Sequence, residues 1–161
     1  MSDEPKRVCW DSCVFISYIN EDADRLPTIQ AVLEDANPKG GSVEIITSFV
    51  SIVEVAYALT EQQGKALDCE AEGNIDKLWL PDSPVRLVEV YRHIADEARR
   101  FIREAMLREW SLKAADAIHL ATAACMEAVE FHTYDGQLAK YDEITGLRIC
   151  EPHTDKPRLF S

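Results

Sequence analysis

Residues 114–129 read AADAIHLATAACMEAV. The run is apolar on almost every side and rich in residues of high helix propensity, so it predicts a helix. A helix that is apolar nearly all round belongs inside a protein. Its first turn nevertheless carries a carboxylate, Asp116. An unpaired charge taken out of water costs several kcal/mol. The remedies are a helix-start position, a cationic partner or a metal ion, and the rest of the chain has to say which applies.

On the C-terminal side of this helix, residues 130–134 (EFHTY) read as a strand, Asp135 and Gly136 open a short helix, and residues 147–150 (LRIC) form a last strand before a tail from Pro152. On the N-terminal side, residues 91–110 form an amphipathic helix with Tyr91, Ile94, Ala95, Ala98, Phe101, Ile102, Ala105 and Met106 on one stripe. Residues 85–90 (VRLVEV) precede it as a strand, after a hinge at 81–84. Further upstream, residues 7–10 and 43–47 read as strands, 12–20, 21–36 and 49–62 as helices, and 37–42 (NPKGGS) as a loop on its turn chemistry. Residues 65–82 are more polar and read as short surface helices. Strands separated by helices predict βαβ units. The expected fold is α/β: a three-layer α/β/α sandwich around a central, mainly parallel, five-stranded sheet. The expected organisation is a single domain over 1–161, with a core of about 7–152 and a short tail at 153–161.

The chain has 161 residues and a formal net charge of -12. Such a chain cannot grip nucleic acid by bulk electrostatics, which needs Lys and Arg on phosphates. Bound metal ions or a local basic face must then serve. Arg25, Arg99, Arg103, Arg108 and Lys113 are the candidates for phosphate contact, although on charged helix faces such residues are ordinarily solvated surface. The five cysteines, Cys9, Cys13, Cys69, Cys125 and Cys150, are odd in number and follow no zinc spacing. They fit a reducing, cytoplasmic compartment. No apolar signal region opens MSDEPKRV, and no apolar run nears the roughly 18 residues that span a bilayer. A soluble protein is expected.

Four acids invite closer reading. Asp11 ends a strand and precedes a helix, and Asp135 does the same. Each is either a helix cap or a group at the carboxyl edge of a sheet, where α/β folds bind ligands. Glu54 lies within two turns of its helix start, in the apolar run FVSIVEVAYAL. It is either a solvated side chain or a third acid at that edge. Asp116 is favoured by the helix dipole in any case. His119, one turn on, lacks a second suitably spaced histidine and reads as a core residue or a support for a ligand rather than a ligand itself. Several carboxylates gathered at one place repel and shift each other's pKa. Mg²⁺ or Mn²⁺, which prefer oxygen ligands, relieve that conflict, and no Cys or His set competes for zinc. One or two such ions at a sheet edge suit phosphoryl chemistry on a polyanion. Thr133 shares a strand face with Asp135, so its hydroxyl could hold a water or a carboxylate.

Four stretches, VCWD at 8–11, SIVE at 51–54, ADAIH at 115–119 and TYD at 133–135, together with the final GLRI strand, resemble the PIN-domain family, in particular the VapC-like toxins of toxin–antitoxin pairs. The resemblance runs over about residues 7–152. It implies an α/β sandwich and a Mg²⁺- or Mn²⁺-dependent endoribonuclease with water as nucleophile. It carries over Asp11, Glu54, Asp116 and Asp135 as the metal-binding quartet and Thr133 as the accompanying hydroxyl. It further implies an RNA substrate, a homodimer and a small antitoxin partner. The chain is longer than the minimal family core, notably at 65–82.

A non-catalytic PIN-fold binding module is the alternative, disfavoured because all four acids are present. Other phosphoryl enzymes fit less well. A haloacid-dehalogenase-like phosphatase needs an Asp where Cys13 stands, neither G-x-x-x-x-G-K-S/T nor G-x-G-x-x-G occurs, and a receiver domain needs an Asp after its third strand.

Overall fold

The computed structural model of the chain describes residues 4–154. Five strands, β1 (Lys6–Trp10), β2 (Val43–Ser48), β3 (Val85–Val88), β4 (Glu130–His132) and β5 (Arg148–Cys150), form one sheet in the order β3-β2-β1-β4-β5. All four pairings are parallel. Parallel strands need crossover connections, and these cover both faces of the sheet with helices.

The strand faces sort the core into two layers. Cys9, Ile46, Val88 and Phe131 point to one face, where Ile94, Ala98, Phe101 and Ala105 of α6 (Arg92–Leu107) and Ala117, Leu120, Ala121 and Ala123 of α7 (Ala114–Cys125) meet them. Val8, Trp10, Ile45 and Val85 point to the other, against Val14 and Phe15 of α1 (Ser12–Ile19), Ile29 and Val32 of α2 (Leu26–Asp35), and Ile75 of α5 (Cys69–Asp76). The three-layer expectation therefore holds. Phe15, Phe101 and Phe131 are fully buried, and each such side chain contributes about 1.5–3 kcal/mol by leaving water. The alanines of α7 let α6 and the sheet approach it closely.

β1 is central, and the strand order reverses around it. The chain runs β1 to β2 to β3 on one side, then returns to place β4 on the other. The carboxyl ends of β1 and β4 thus flank the switch point where α/β sheets bind ligands. Asp11 comes directly after β1, and its N–H bonds the carbonyl of His132 at 2.9 Å, which locks the two strand ends side by side.

Several predicted boundaries are corrected. The helix expected at 49–62 breaks into α3 (Val50–Glu54) and α4 (Leu59–Gly64). Side-chain acceptors hold the break: Glu61 accepts from the N–H groups of Ala58 and Asp68, both at 2.9 Å, and the distant Asn20 accepts from Leu59 N–H at 2.9 Å. The helix expected at 21–36 begins at Leu26, with Pro27 in its first turn. The helices predicted at 91–110 and 114–129 stop early, α6 before Glu109 and α7 before Glu127, each residue adopting positive φ (61° and 55°). The expected short surface helices at 65–82 are α5 and a 3₁₀ turn, Lys77–Trp79. The expected tail is packed at its start: Pro152 is buried and His153 reaches Glu130. The rest of the tail, residues 155–161, lies outside the described residues. Among those described, no helix is long and apolar enough to cross a membrane.

Candidate active site

The carboxyl edge of the sheet collects the four acids. Asp11 is buried at the start of α1 and does two jobs. Its Oδ1 accepts from Ser12 N–H at 2.9 Å, so the capping reading is correct as far as it goes. Its Oδ2 accepts the Thr133 hydroxyl at 2.8 Å. Thr133 in turn accepts the N–H of Asp135 at 3.0 Å. Of the two roles open to this hydroxyl, the geometry therefore shows the carboxylate-holding one. Asp135 also caps the short 3₁₀ helix Gly136–Tyr141, its Oδ1 accepting from Gln137 N–H at 3.0 Å. Its position is exposed.

Glu54 is the last residue of α3 and is exposed rather than enclosed. The apolar residues around it in sequence face solvent too: Phe49, Ile52, Val53, Tyr57 and Leu59 are exposed. Glu54 is held from behind by His119, whose Nε2 is hydrogen-bonded to Oε1. The same Nε2 lies 3.9 Å from Asp11 Oδ1. His119 is fully buried, and its Nδ1 has no partner among the described residues. The proton is thus best used on Nε2, donating to Glu54. The His119 bond, with help from the Ser12 hydroxyl, holds the Glu54 carboxyl below the usual range against the opposing effect of burial. His119 is a supporting residue, as its isolation in sequence predicted.

Asp116 occupies the first turn of α7. It is half-buried, not enclosed, which corrects the starting expectation. Its carboxyl is raised by burial first, and then by the charges of Asp11, Glu54 and Asp135. The charges of the other three acids expected from sequence therefore all reach Asp116. Tyr141, whose hydroxyl donates to Ser111 carbonyl at 3.1 Å, lies in the same field: burial, then Asp116 and Asp135, push its hydroxyl up.

Sequence reasoning passed over Cys13. Its thiol lies 3.4 Å from both Asp11 Oδ2 and the Thr133 hydroxyl, and it accepts Tyr134 N–H at 3.3 Å. Burial and then Asp11 push it up to about 12, so it stays a neutral thiol. The only signal was its i+2 spacing from Asp11.

The candidate phosphate contacts divide. The Arg25 guanidinium lies 4.1 Å from the ring centroid of Tyr134, the neighbour of Asp135, and bonds Ser17. Lys113 is the cap residue of α7, one turn before Asp116. Arg108 is paired with Glu143 at 2.6 Å. Arg99 and Arg103 are on exposed positions of α6, where they line a cavity with Asp96 and Glu104.

The quartet offers only carboxylate oxygens, a hard donor set that fits Mg²⁺ or Mn²⁺. The mutual repulsion registered at Asp116 is what a cation there relieves. One expectation does not survive, namely that no Cys or His set competes for zinc. On the α2 face of the sheet, Glu130, His132, Cys150 and His153 place ligand atoms within 4.8 Å of one another. Pairing of β4 with β5 makes neighbours of residues far apart in sequence, which spacing rules cannot see.

The PIN domain family matches this chain over residues 8–144. No curated protein sequence matches it. Solved structures similar in fold include VapBC2 from Rickettsia felis bound to a promoter DNA fragment, at 14% identity and TM-score 0.64, covering 89% of this chain and 96% of that one. VapC20 of Mycobacterium tuberculosis, a toxin that cleaves the sarcin–ricin loop, is similar at 16% identity and TM-score 0.62, covering 83% and 93%. VapBC-1 from nontypeable Haemophilus influenzae is similar at 14% identity and TM-score 0.64, covering 90% and 97%.

Proposed function

The chain belongs to the PIN-domain family, and from that premise we propose that it is a Mg²⁺- or Mn²⁺-dependent endoribonuclease, the toxin of a toxin–antitoxin pair. The observation that carries the reading is the carboxyl of Asp116, raised by burial and then by the charges of three other acids, one following β1, one ending α3 and one following β4. Asp11, Glu54, Asp116 and Asp135 are the residues assigned to hold the cation. Bound there, a divalent ion supplies charge neutralisation and acidifies water near neutral pH.

The chain's own groups do the rest. Thr133 orients Asp11 through its hydroxyl and fixes the turn that presents Asp135. His119 keeps Glu54 ionised and aimed at the same point. Arg25 and Lys113, beside Tyr134 and Asp116, are the cations assigned to the RNA phosphates, since the net charge of -12 gives no general attraction. The exposed apolar side chains Phe49, Ile52, Val53, Tyr57 and Leu59 adjoin Glu54. Exposed apolar patches mark interaction surfaces, and this one suits the proposed antitoxin or a second copy of the chain in a homodimer.

The test is RNA cleavage by purified chain with Mn²⁺, comparing wild type with Asp116→Asn. Wild type is expected to cut and the variant, still folded by circular dichroism, to be inactive. Equal cleavage by both would overturn the assignment. A melting temperature that Mn²⁺ leaves unchanged would favour a non-catalytic binding module instead.

A further inference from the structure

The group on β4 and β5 has no part in the proposed hydrolysis. The register pairs Glu130 with Arg148 and His132 with Cys150, so these side chains rise on the α2 side of the sheet. The chain after β5 then brings His153 over Glu130, its Nε2 lying 3.1 Å and 3.0 Å from the two carboxylate oxygens. Glu130 is 1% exposed. A cavity of about 210 Å³ lined by Lys6, Val43, Glu130, His132, His153 and Thr154, among others, opens onto the group.

The hydrogen bonds sort the four residues. Trp10 Nε1–H donates to Nδ1 of His132 at 3.1 Å. The His132 proton must then sit on Nε2, which donates to Glu130 at 3.2 Å. His132 is therefore a support that orients Glu130, not a ligand. Three different donors remain, a carboxylate oxygen, a thiol sulfur and an imidazole nitrogen. Such a mixed set is too soft for Mg²⁺ and suits Zn²⁺. We propose that Glu130, Cys150 and His153 form a Zn²⁺ site, separate from the carboxylate quartet, with the fourth position open to the cavity.

Protons and cations of the chain itself stand around the same donor atoms. The Cys150 thiol bonds Glu130 and is raised by burial and then by that carboxylate. Lys6 Nζ lies 2.7 Å from Glu130 Oε1, and Arg148 lies 3.1 Å from Oε2. Both side chains reach solvent, at 29% and 69% exposure, so they can yield to an ion. Binding takes up Zn²⁺, forms a Zn–S bond at Cys150 and releases the thiol proton to water. The ion would staple the segment after β5 to β4.

The test is titration of the full chain with Co²⁺, a spectroscopic stand-in for Zn²⁺. We expect a thiolate-to-cobalt charge-transfer band that saturates at one equivalent and disappears on adding Zn²⁺. Asp116→Asn should keep the band, Cys150→Ser should lose it, and His153→Ala should weaken binding at least tenfold. Retained circular dichroism establishes that each variant is folded, and the His153 variant decides the matter if Cys150→Ser is not. Absence of the band overturns the proposal. So does a band that survives Cys150→Ser but is lost in Cys13→Ser, which would place the ion at the quartet.

Discussion

Glu130→Gln tests the electrostatics of the sheet most directly. The wild-type carboxylate, 1% exposed, faces Lys6, Arg148, His132 and His153 within 3.2 Å. Burial alone would raise its pKa, but the bonds from Lys6, His132 and His153 bring it down from 4.5 to about 2. A depression of this size corresponds to about 3 kcal/mol of stability at neutral pH. Removing one partner from a buried ion pair costs roughly 3–5 kcal/mol, so two independent routes agree. For a chain of this size that is about 6–12 °C in melting temperature. The sign comes from the depressed pKa: the contribution is complete above pH 4.5 and is lost as pH falls toward about 2. His132, lowered by burial from 6.5 to about 4, acts earlier. Because the fold keeps it neutral, stability falls between pH 6.5 and about 4 in both proteins. The difference between wild type and variant should therefore be flat from pH 7 to 4.5 and close below that. Urea unfolding followed by tryptophan fluorescence, with chelator present, measures it. A difference under about 1 kcal/mol at pH 7, or one that persists unchanged at pH 3, would refute the reasoning.

Asp116→Asn should raise the stability of the metal-free chain at pH 7, because the carboxyl is raised and its ionisation opposes folding. The gain should vanish below about pH 3.8, where the acid is protonated in folded and unfolded chains alike, and should reverse when saturating Mn²⁺ stabilises only wild type. Thr133→Val removes the donor to Asp11 and the acceptor for Asp135 N–H, and should lower stability by about 1.5–3 kcal/mol in chemical denaturation. Thr133→Ser should restore most of the loss. Glu61→Ala strips the partner from two N–H groups at the α3–α4 break and should cost about 1–3 kcal/mol. Faster hydrogen exchange at Ala58 and Asp68 would localise the effect, and unchanged exchange there would contradict it.

The sequence made the layers and the acids legible because both are written locally. Strands covered on both faces read as short apolar runs, and each acid sits at an element end that a cap or a strand exit marks. Helix ends were less visible. Neither Glu109 nor Glu127 is a glycine, yet each takes the left-handed conformation that ends its helix, so no stop signal appears. The break after Glu54 depends in part on Asn20, 39 residues from Leu59 in sequence, a partner that only the folded chain supplies. The same holds for the cluster on β4 and β5. Asp116 also stands on a different footing in the folded chain. The side chain is only half-buried, and repulsion from its three acidic neighbours adds to that partial burial in raising its carboxyl.

The central place of β1 sets the order of events on the ribosome. Lys6–Trp10 is made before the other four strands, and β2 can cover one of its edges early. The other edge waits for β4, and about 80 residues separate Ser48 from Glu130. At typical synthesis rates that is roughly 4–16 s during which β1 has one bare edge. Pairing over such separations is intrinsically slow, and bare strand edges invite association with other chains. Until residues 130–135 emerge, the chain lacks Asp135, and Asp11 lacks the Thr133 hydroxyl and the His132 carbonyl that fix it. A product abandoned by a stalled ribosome before that point is an incomplete sheet without an assembled acid cluster, which under the proposed function leaves it inert.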